Sequence, residues 1–242
     1  PDWRQWGGDV FTAQNQRLLF WPLLKSGDFD GMVAQFNLYK RGLKGAQLRV
    51  QEYFGHDGAM FCEYANDAGL DFGAGWGWQD SKIRRRGKEL PFGSPEANAV
   101  NSYFVPVEHG IMANGSISYH WESQVEHAYM MLEYHRFTGR NIDEYIPFIK
   151  KSLIFFDEHY QKREWMRTGK TLDENGKLVF YPSTSCESYR GAKNPADLVS
   201  GIRSCLEELL TLKSDSLSEK DRTYFASYLQ RLPGLYYDVV EG

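Results

Sequence analysis

The sequence predicts an all-α protein with minor β content, and three observations predict it. Six segments carry apolar residues at helical spacing, and they fall into three sequential pairs. Strands and helices do not alternate along the chain, so a parallel α/β sheet is not expected. No glycine-rich phosphate loop is present either. Paired helices with elaborated connections suggest stacked helical hairpins.

The first helix is expected from about Ala13 to Leu24, with Pro22 bending or ending it. The second covers about Phe29 to Phe54, although Gly42 and Gly45 weaken its middle. The third, about Ser118 to Phe137, carries Trp121, Val125, Ala128 and Leu132 on one stripe. Glu122, Glu126, Tyr129 and Glu133 form a second stripe, and Gly139 can terminate the helix. The fourth, about Asp143 to Gln161, repeats Ile146, Ile149, Leu153, Phe156 and Tyr160 at steps of three and four, with Pro147 in its first turns. "TLDENGKLVFYP" reads as a turn at Asn175-Gly176 between short strands. The fifth helix is expected to open with Asn194 as cap, Pro195 at the first position and Asp197 in the first turn. Its apolar stripe is Leu198, Ile202, Cys205 and Leu209. The sixth begins near Ser218, with Asp221 completing a capping-box variant, and Pro233 ends it. Residues 52–116 have a different texture, rich in Gly, Pro, Asp and Asn. They read as a long loop insertion in a single domain spanning 1–242, and loops of that length are functional or disordered.

The 242 residues carry a net charge of −4, which excludes the basic footprint of a nucleic-acid binder. No apolar run approaches the roughly 18 residues that a membrane span needs. The opening "PDWRQWGGDV" lacks an initiator Met and reads as the interior of something longer, with further sequence expected beyond both termini. Cys62, Cys186 and Cys205 form no metal pattern, are odd in number and are read as free thiols. His120 and His127 stand two helical turns apart, about 10 Å, too far to share an ion. No metal or cofactor is expected. Aromatic residues make up 15% of the chain, which gives either a ring-rich core or a ring-lined site for sugars.

Three stretches hold candidate chemistry. "SYHWES" could point His120, Trp121 and Glu122 into a pocket, or these could be a surface acid and a core Trp. "EYFGHDGAMFCEY" packs His56, Asp57 and Glu63 among rings and glycines, where His56 and Asp57 are either a turn pair or catalytic, without the serine that a triad would need. "YPSTSCESYRG" isolates Glu187 among hydroxyls, with Arg190 nearby. Glu187 either belongs to a pair of carboxyls across a scissile bond or is a solvent-facing acid paired with Arg190. Pro182 restricts entry to this loop and Gly191 frees its exit. The hydroxyls of Ser183, Thr184 and Ser185 can bond the loop's own backbone.

"WGGDVFTAQNQRLLFWP" (Trp6–Pro22), "HWESQVEHAYMMLEYHRFTGR" (His120–Arg140) and "YPSTSCES" (Tyr181–Ser188) resemble, in order and rough spacing, the six-hairpin glycosidases. The nearest resemblance is to glycoside hydrolase family 95, the inverting α-L-fucosidases and relatives. It implies that the chain is part of an (α/α)6 toroid and that Glu187 is the general acid. It aligns Asn15 with the second of two asparagines that orient the attacking water. Ala13 replaces the first, "SCES" stands where the family has "SPEN", and the family's catalytic Asp falls beyond Gly242. The expected substrate contacts are Asn15, Trp6, His56, Trp78, His120, Trp121, Glu122 and Arg190. The function implied is inverting hydrolysis of an oligo- or polysaccharide, in a secreted or periplasmic setting. The alternative is a non-catalytic glycan-binding module on the same scaffold. If the chain is half a toroid, Tyr224, Phe225 and Tyr228 are expected to lack partners.

Overall fold

The computed structural model describes residues 11–66, 110–111 and 117–236. Among them the protein is mostly helical with two small two-stranded sheets. The elements are β1 (Phe11–Thr12), α1 (Ala13–Ser26), α2 (Phe29–Phe54), β2 (Tyr64–Ala65), α3 (Glu122–Thr138), α4 (Ile146–Thr168), β3 (Ser183–Ser185), β4 (Tyr189–Ala192), α5 (Ala196–Thr211) and α6 (Glu219–Arg231). No helix among the described residues is long and apolar enough to cross a membrane.

The helices form three hairpins in two layers. α1 packs on α3, and α3 on α5; each is backed by the next helix in the chain, α2, α4 and α6. The α3–α5 approach is close: a Cβ on Gly201 would lie 3.2 Å from Val125. α4 touches both α2 and α3, so both of its faces are covered. The predicted stripe Ile146, Ile149, Leu153, Phe156 and Tyr160 is buried, but so are Asp157, His159 and Arg163 on its other side. Gly58 has φ +111° and meets the backbone of Phe155 where a Cβ would stand, 2.5 Å away. Only glycine lets the chain after α2 lie flat on α4 there.

Several expected boundaries are corrected. Pro22 does not stop α1, which runs to Ser26. The loop-rich stretch opens only at Gly55, the C-cap of α2. α3 starts at Glu122 rather than near Ser118, because Tyr119 adopts φ +60°, which no helix accommodates. α4 starts at Ile146 after a turn and extends to Thr168. Asn175-Gly176 is a turn in which Asp173 accepts from the Asn175 and Lys177 amides, but no strands flank it. Asn194 does not cap α5; Pro195 does, with φ −62° and ψ 140°. The capping box of α6 forms as predicted, with Ser218 and Asp221 each accepting from the other's backbone N–H.

The expectation that the rings of α6 would lack partners is also corrected. Phe225 and Tyr228 are fully buried, and the hydroxyl of half-buried Tyr224 donates to Asp157 Oδ2 at 2.7 Å. Arg231 Nη2 donates to the same oxygen at 2.6 Å, and Lys150 pairs with Asp221 at 2.7 Å. α4 and α5 therefore supply within this chain the surface that those rings need. All three cysteines are free thiols, with Cys62 and Cys205 buried and Cys186 exposed.

Candidate functional site

A cavity of about 390 Å³ opens where α1, α3 and α5 begin. Glu63 anchors its first wall. Strand β2 pairs with β1 and brings Glu63 against the start of α1, where its carbonyl accepts from Ala13 N–H at 2.5 Å. Its Oε1 accepts from Gln14 N–H at 2.8 Å and its Oε2 from Ser123 Oγ at 2.7 Å. The carboxyl thus does for α1 what its own N-cap, Thr12, does not. Gln14, Arg17 and Trp21, spaced three and four apart on α1, line the same wall.

α3 supplies the floor. Glu122, Glu126 and Tyr129, three members of the predicted second stripe, face the cavity together with Ser123 and Val125. Trp21 Nε1 donates to Glu126 Oε1 at 2.7 Å, and the Trp21 and Tyr129 rings meet at 6.1 Å between centroids. They form an apolar corner beside the acids.

The third wall is the β3–β4 hairpin. Its turn is closed by Ser188 N–H donating to Ser185 O at 3.1 Å, and the two central residues, Cys186 and Glu187, have φ +49° and +58°. Positive φ at both central positions marks a type I′ turn, which normally draws Asn and Gly. Here neither position is glycine, and the strain amounts to about 1–2 kcal/mol per residue. Glu187 and Cys186 both line the cavity as a result. The hairpin is pinned from outside rather than by its own hydroxyls. Thr184 Oγ1 donates to Ser118 O, Ser185 Oγ to Asp197 Oδ2 at 2.7 Å, and Tyr160 OH to Pro182 O at 2.9 Å. Asn194 closes its base: its Oδ1 accepts from Phe180 N–H at 2.8 Å while its N–H donates to Phe180 O at 3.0 Å.

The electrostatics follow from burial. Burial raises the Glu63 carboxyl above its ordinary range, against the two hydrogen bonds it accepts. Burial raises Glu122 well above that range and lowers His120 to about 4. His120 Nε2 lies 2.5 Å from Glu122 Oε1, although neither Glu122 oxygen has a partner in hydrogen-bond geometry among the described residues. His120 Nδ1 has no hydrogen-bond partner among the described residues, and Glu63 Oε2 lies 3.7 Å from it. Glu63, His120 and Glu187 each offer one ligand atom within 4.8 Å of the others'. Two carboxylates and an imidazole could close on a divalent cation.

Of the residues singled out by sequence, Glu187, His120 and Glu122 meet at this cavity. Asn15 does not: it is exposed and accepts from the Thr12 hydroxyl, about 100° round α1 from Gln14. Trp121 is a core residue, edge-on to Phe155 and His159 with centroids 5.1 Å away in each case. His56 lies in a separate chain of hydrogen bonds. Arg163 Nε donates to His159 Nε2 at 2.5 Å, which places the other His159 proton on Nδ1, 3.0 Å from His56 Nε2. His56 Nδ1 then donates to Asp57 O at 2.7 Å, so both rings are fixed as neutral tautomers. Arg190 is exposed on β4, away from the cavity lining. Trp6 and Trp78 lie outside the described residues.

Sequence reasoning missed Arg17, Trp21 and Asp197 as lining residues, and it noticed Glu63 only beside His56 and Asp57 and Cys186 only as part of the Glu187 loop. Only the stripe spacing of α3 carried a usable signal. No family model, curated protein or solved structure matches this chain.

Proposed function

We propose that this chain is a glycoside hydrolase-like domain that cleaves a glycosidic bond in an oligo- or polysaccharide at the α1–α3–α5 cavity. The observation that carries the reading is the strained turn that holds Glu187 in a cavity shared with the buried carboxyls of Glu63 and Glu122. A type I′ turn built from Cys and Glu costs stability that Asn-Gly would not, and such strain is retained at functional positions. Carboxyls held in different surroundings are what acid–base cleavage of a glycosidic bond requires. The Trp21–Tyr129 corner offers an apolar surface for the C–H face of a sugar ring. Hydrolysis of this kind needs no cofactor. On this reading the three layered hairpins would be part of an (α/α)6 toroid, with Leu18 and Leu19, 69% and 68% exposed on α1, as apolar surface for a further helix. The substrate would be met outside the cytoplasm, as for the secreted or periplasmic enzymes that the chain resembles.

A non-catalytic glycan-binding module is the second reading, and Ala13 favours it, since a buried methyl stands where the resemblance requires an asparagine. A panel of aryl glycosides offered to the full-length protein separates the two. Phenol release supports hydrolysis, whereas glycan binding without turnover of any member of the panel overturns it.

A further inference from the structure

Three residues that converge at the cavity come from three separate parts of the chain. Glu63 stands just before β2, His120 just before α3, and Glu187 in the turn between β3 and β4. Each offers one ligand atom, and these atoms lie within 4.8 Å of one another. We infer that Glu63, His120 and Glu187 form a binding site for one zinc ion. The inference goes beyond the hydrolase reading and stands without it, because the ion is measured with no glycoside present.

The imidazole carries the argument. His120 is 7% exposed, and its Nδ1 is buried with no hydrogen-bond partner among the described residues. A buried polar atom left without a partner costs about 1–3 kcal/mol, so the position calls for a group that takes its lone pair. Nδ1 faces Glu63 Oε2 at 3.7 Å. That is too long for a hydrogen bond. It is close to the roughly 3.3–3.4 Å between two ligands of a tetrahedral zinc whose bonds are about 2.0–2.1 Å. The Glu63 carboxyl is already oriented, as ligating carboxylates are, by Gln14 N–H on Oε1 at 2.8 Å and Ser123 Oγ on Oε2 at 2.7 Å. Glu187 is half-buried in its turn and has the side-chain freedom to close the remaining distance.

Charge and donor chemistry point the same way. Glu63, Glu122, Glu126, Glu187 and Asp197 line the cavity against one cation, Arg17, which is paired with Glu126 at 3.4 Å. A divalent ion supplies the positive charge that this lining lacks. Two carboxylate oxygens and one imidazole nitrogen suit zinc, whereas an all-oxygen set would suit calcium or magnesium. Three protein ligands leave the fourth tetrahedral position to a water or to a ligand hydroxyl in the cavity. A carboxylate bound to zinc cannot also serve a glycosidic bond, so zinc and glycoside compete for Glu187.

The test is isothermal titration of zinc chloride into the full-length protein after chelator has stripped it of metal. One zinc per chain is expected, with one imidazole nitrogen and carboxylate oxygens at about 2.0–2.1 Å in its X-ray absorption spectrum. Loss of an outer partner already costs a metal site about 10–100-fold in affinity, so Glu187→Gln and His120→Ala, which remove direct ligands, should each lose at least about 100-fold. Cys186→Ser should bind zinc as the parent does, because its thiol is not one of the three ligands. No zinc uptake by the wild type overturns the inference. So does full affinity in Glu187→Gln, or loss of zinc in Cys186→Ser. If His120→Ala does not fold, the wild type, Glu187→Gln and Cys186→Ser still decide. On the glycoside that the protein cleaves, zinc should inhibit in step with its binding, and stimulation by zinc overturns the competition at Glu187. Absence of any cleavage overturns the hydrolase reading and leaves the zinc site standing.

Discussion

Two adjacent residues with positive φ, Cys186 and Glu187, carry the strongest local signal in the molecule. Glycine at position 187 would relieve left-handed strain of about 1–2 kcal/mol while adding unfolded-state entropy of about 0.5–1 kcal/mol. Glu187→Gly should therefore leave the protein as stable as the parent or raise its melting temperature by roughly 1–4 °C. Activity should be lost at the same time. Thermal denaturation of the variant checks this, and a fall of several degrees would show that the turn is not strained. Buried histidines set the acid response. Burial alone lowers His127 to about 3, and it is also the main cause that lowers His56 and His120 to about 4 and takes His159 well below its ordinary value. The folded state resists protonation that the unfolded state accepts below about pH 6.5. The stability these rings contribute is present above that pH and is lost as pH falls toward about 4. Raised Glu63 and Glu122 act with the opposite sign: what they contribute is present below about pH 4.5 and is lost as pH rises through their folded values. A single-residue comparison isolates the histidine effect. His127→Gln, with Gln35 Nε2 still beside it, should flatten the loss of stability between pH 7 and 5 by up to about 1.4 kcal/mol per pH unit, read from urea melts. An unchanged slope would contradict the buried neutral ring.

At the scale of elements, Asp157 joins α4 to α6. It is 1% exposed and accepts from Tyr224, Arg231 and Gln161. Asp157→Ala would take from the largely buried Arg231 guanidinium its carboxylate partner and should cost about 3–5 kcal/mol. Tyr224→Phe should cost only about 1 kcal/mol. Equal losses in denaturant titrations would contradict this ranking. Ser218→Ala, which removes the cap of α6, should cost about 1 kcal/mol. The helices themselves were legible because their signals are local. The capping box at Ser218, the stripe of α4 and the glycines after α2 and α3 act within a few residues of where they are read. The errors arise where a distant partner decides. Asn194 looks like a helix cap but spends its side chain on Phe180, fourteen residues away, and Tyr119 carries a helix-compatible sequence into a left-handed turn.

At the scale of the molecule, the site is an assembly of helix beginnings, and that is why it was only partly legible. Glu187, His120 and Glu122 could be picked out because their neighbours in sequence are unusual. Glu63 stood out only beside His56 and Asp57 and not as a neighbour of Glu187, since its place depends on β2 pairing with β1 some fifty residues earlier. Asp197 looked like a residue complementing the α5 dipole, although it also holds Ser185 and thereby the hairpin. Trp121 and His56 were chosen for chemistry that the core uses instead for packing and for a closed hydrogen-bond chain. Asn15 was carried over by resemblance onto a face of α1 that turns away from the cavity. The central claim is that this assembly presents Glu187 to a glycosidic bond. It is tested most directly by comparing wild type with Glu187→Gln on the glycoside that the full-length protein cleaves fastest. The account predicts a loss of about 10²–10⁴-fold in kcat, and a variant within about threefold of wild type would contradict it.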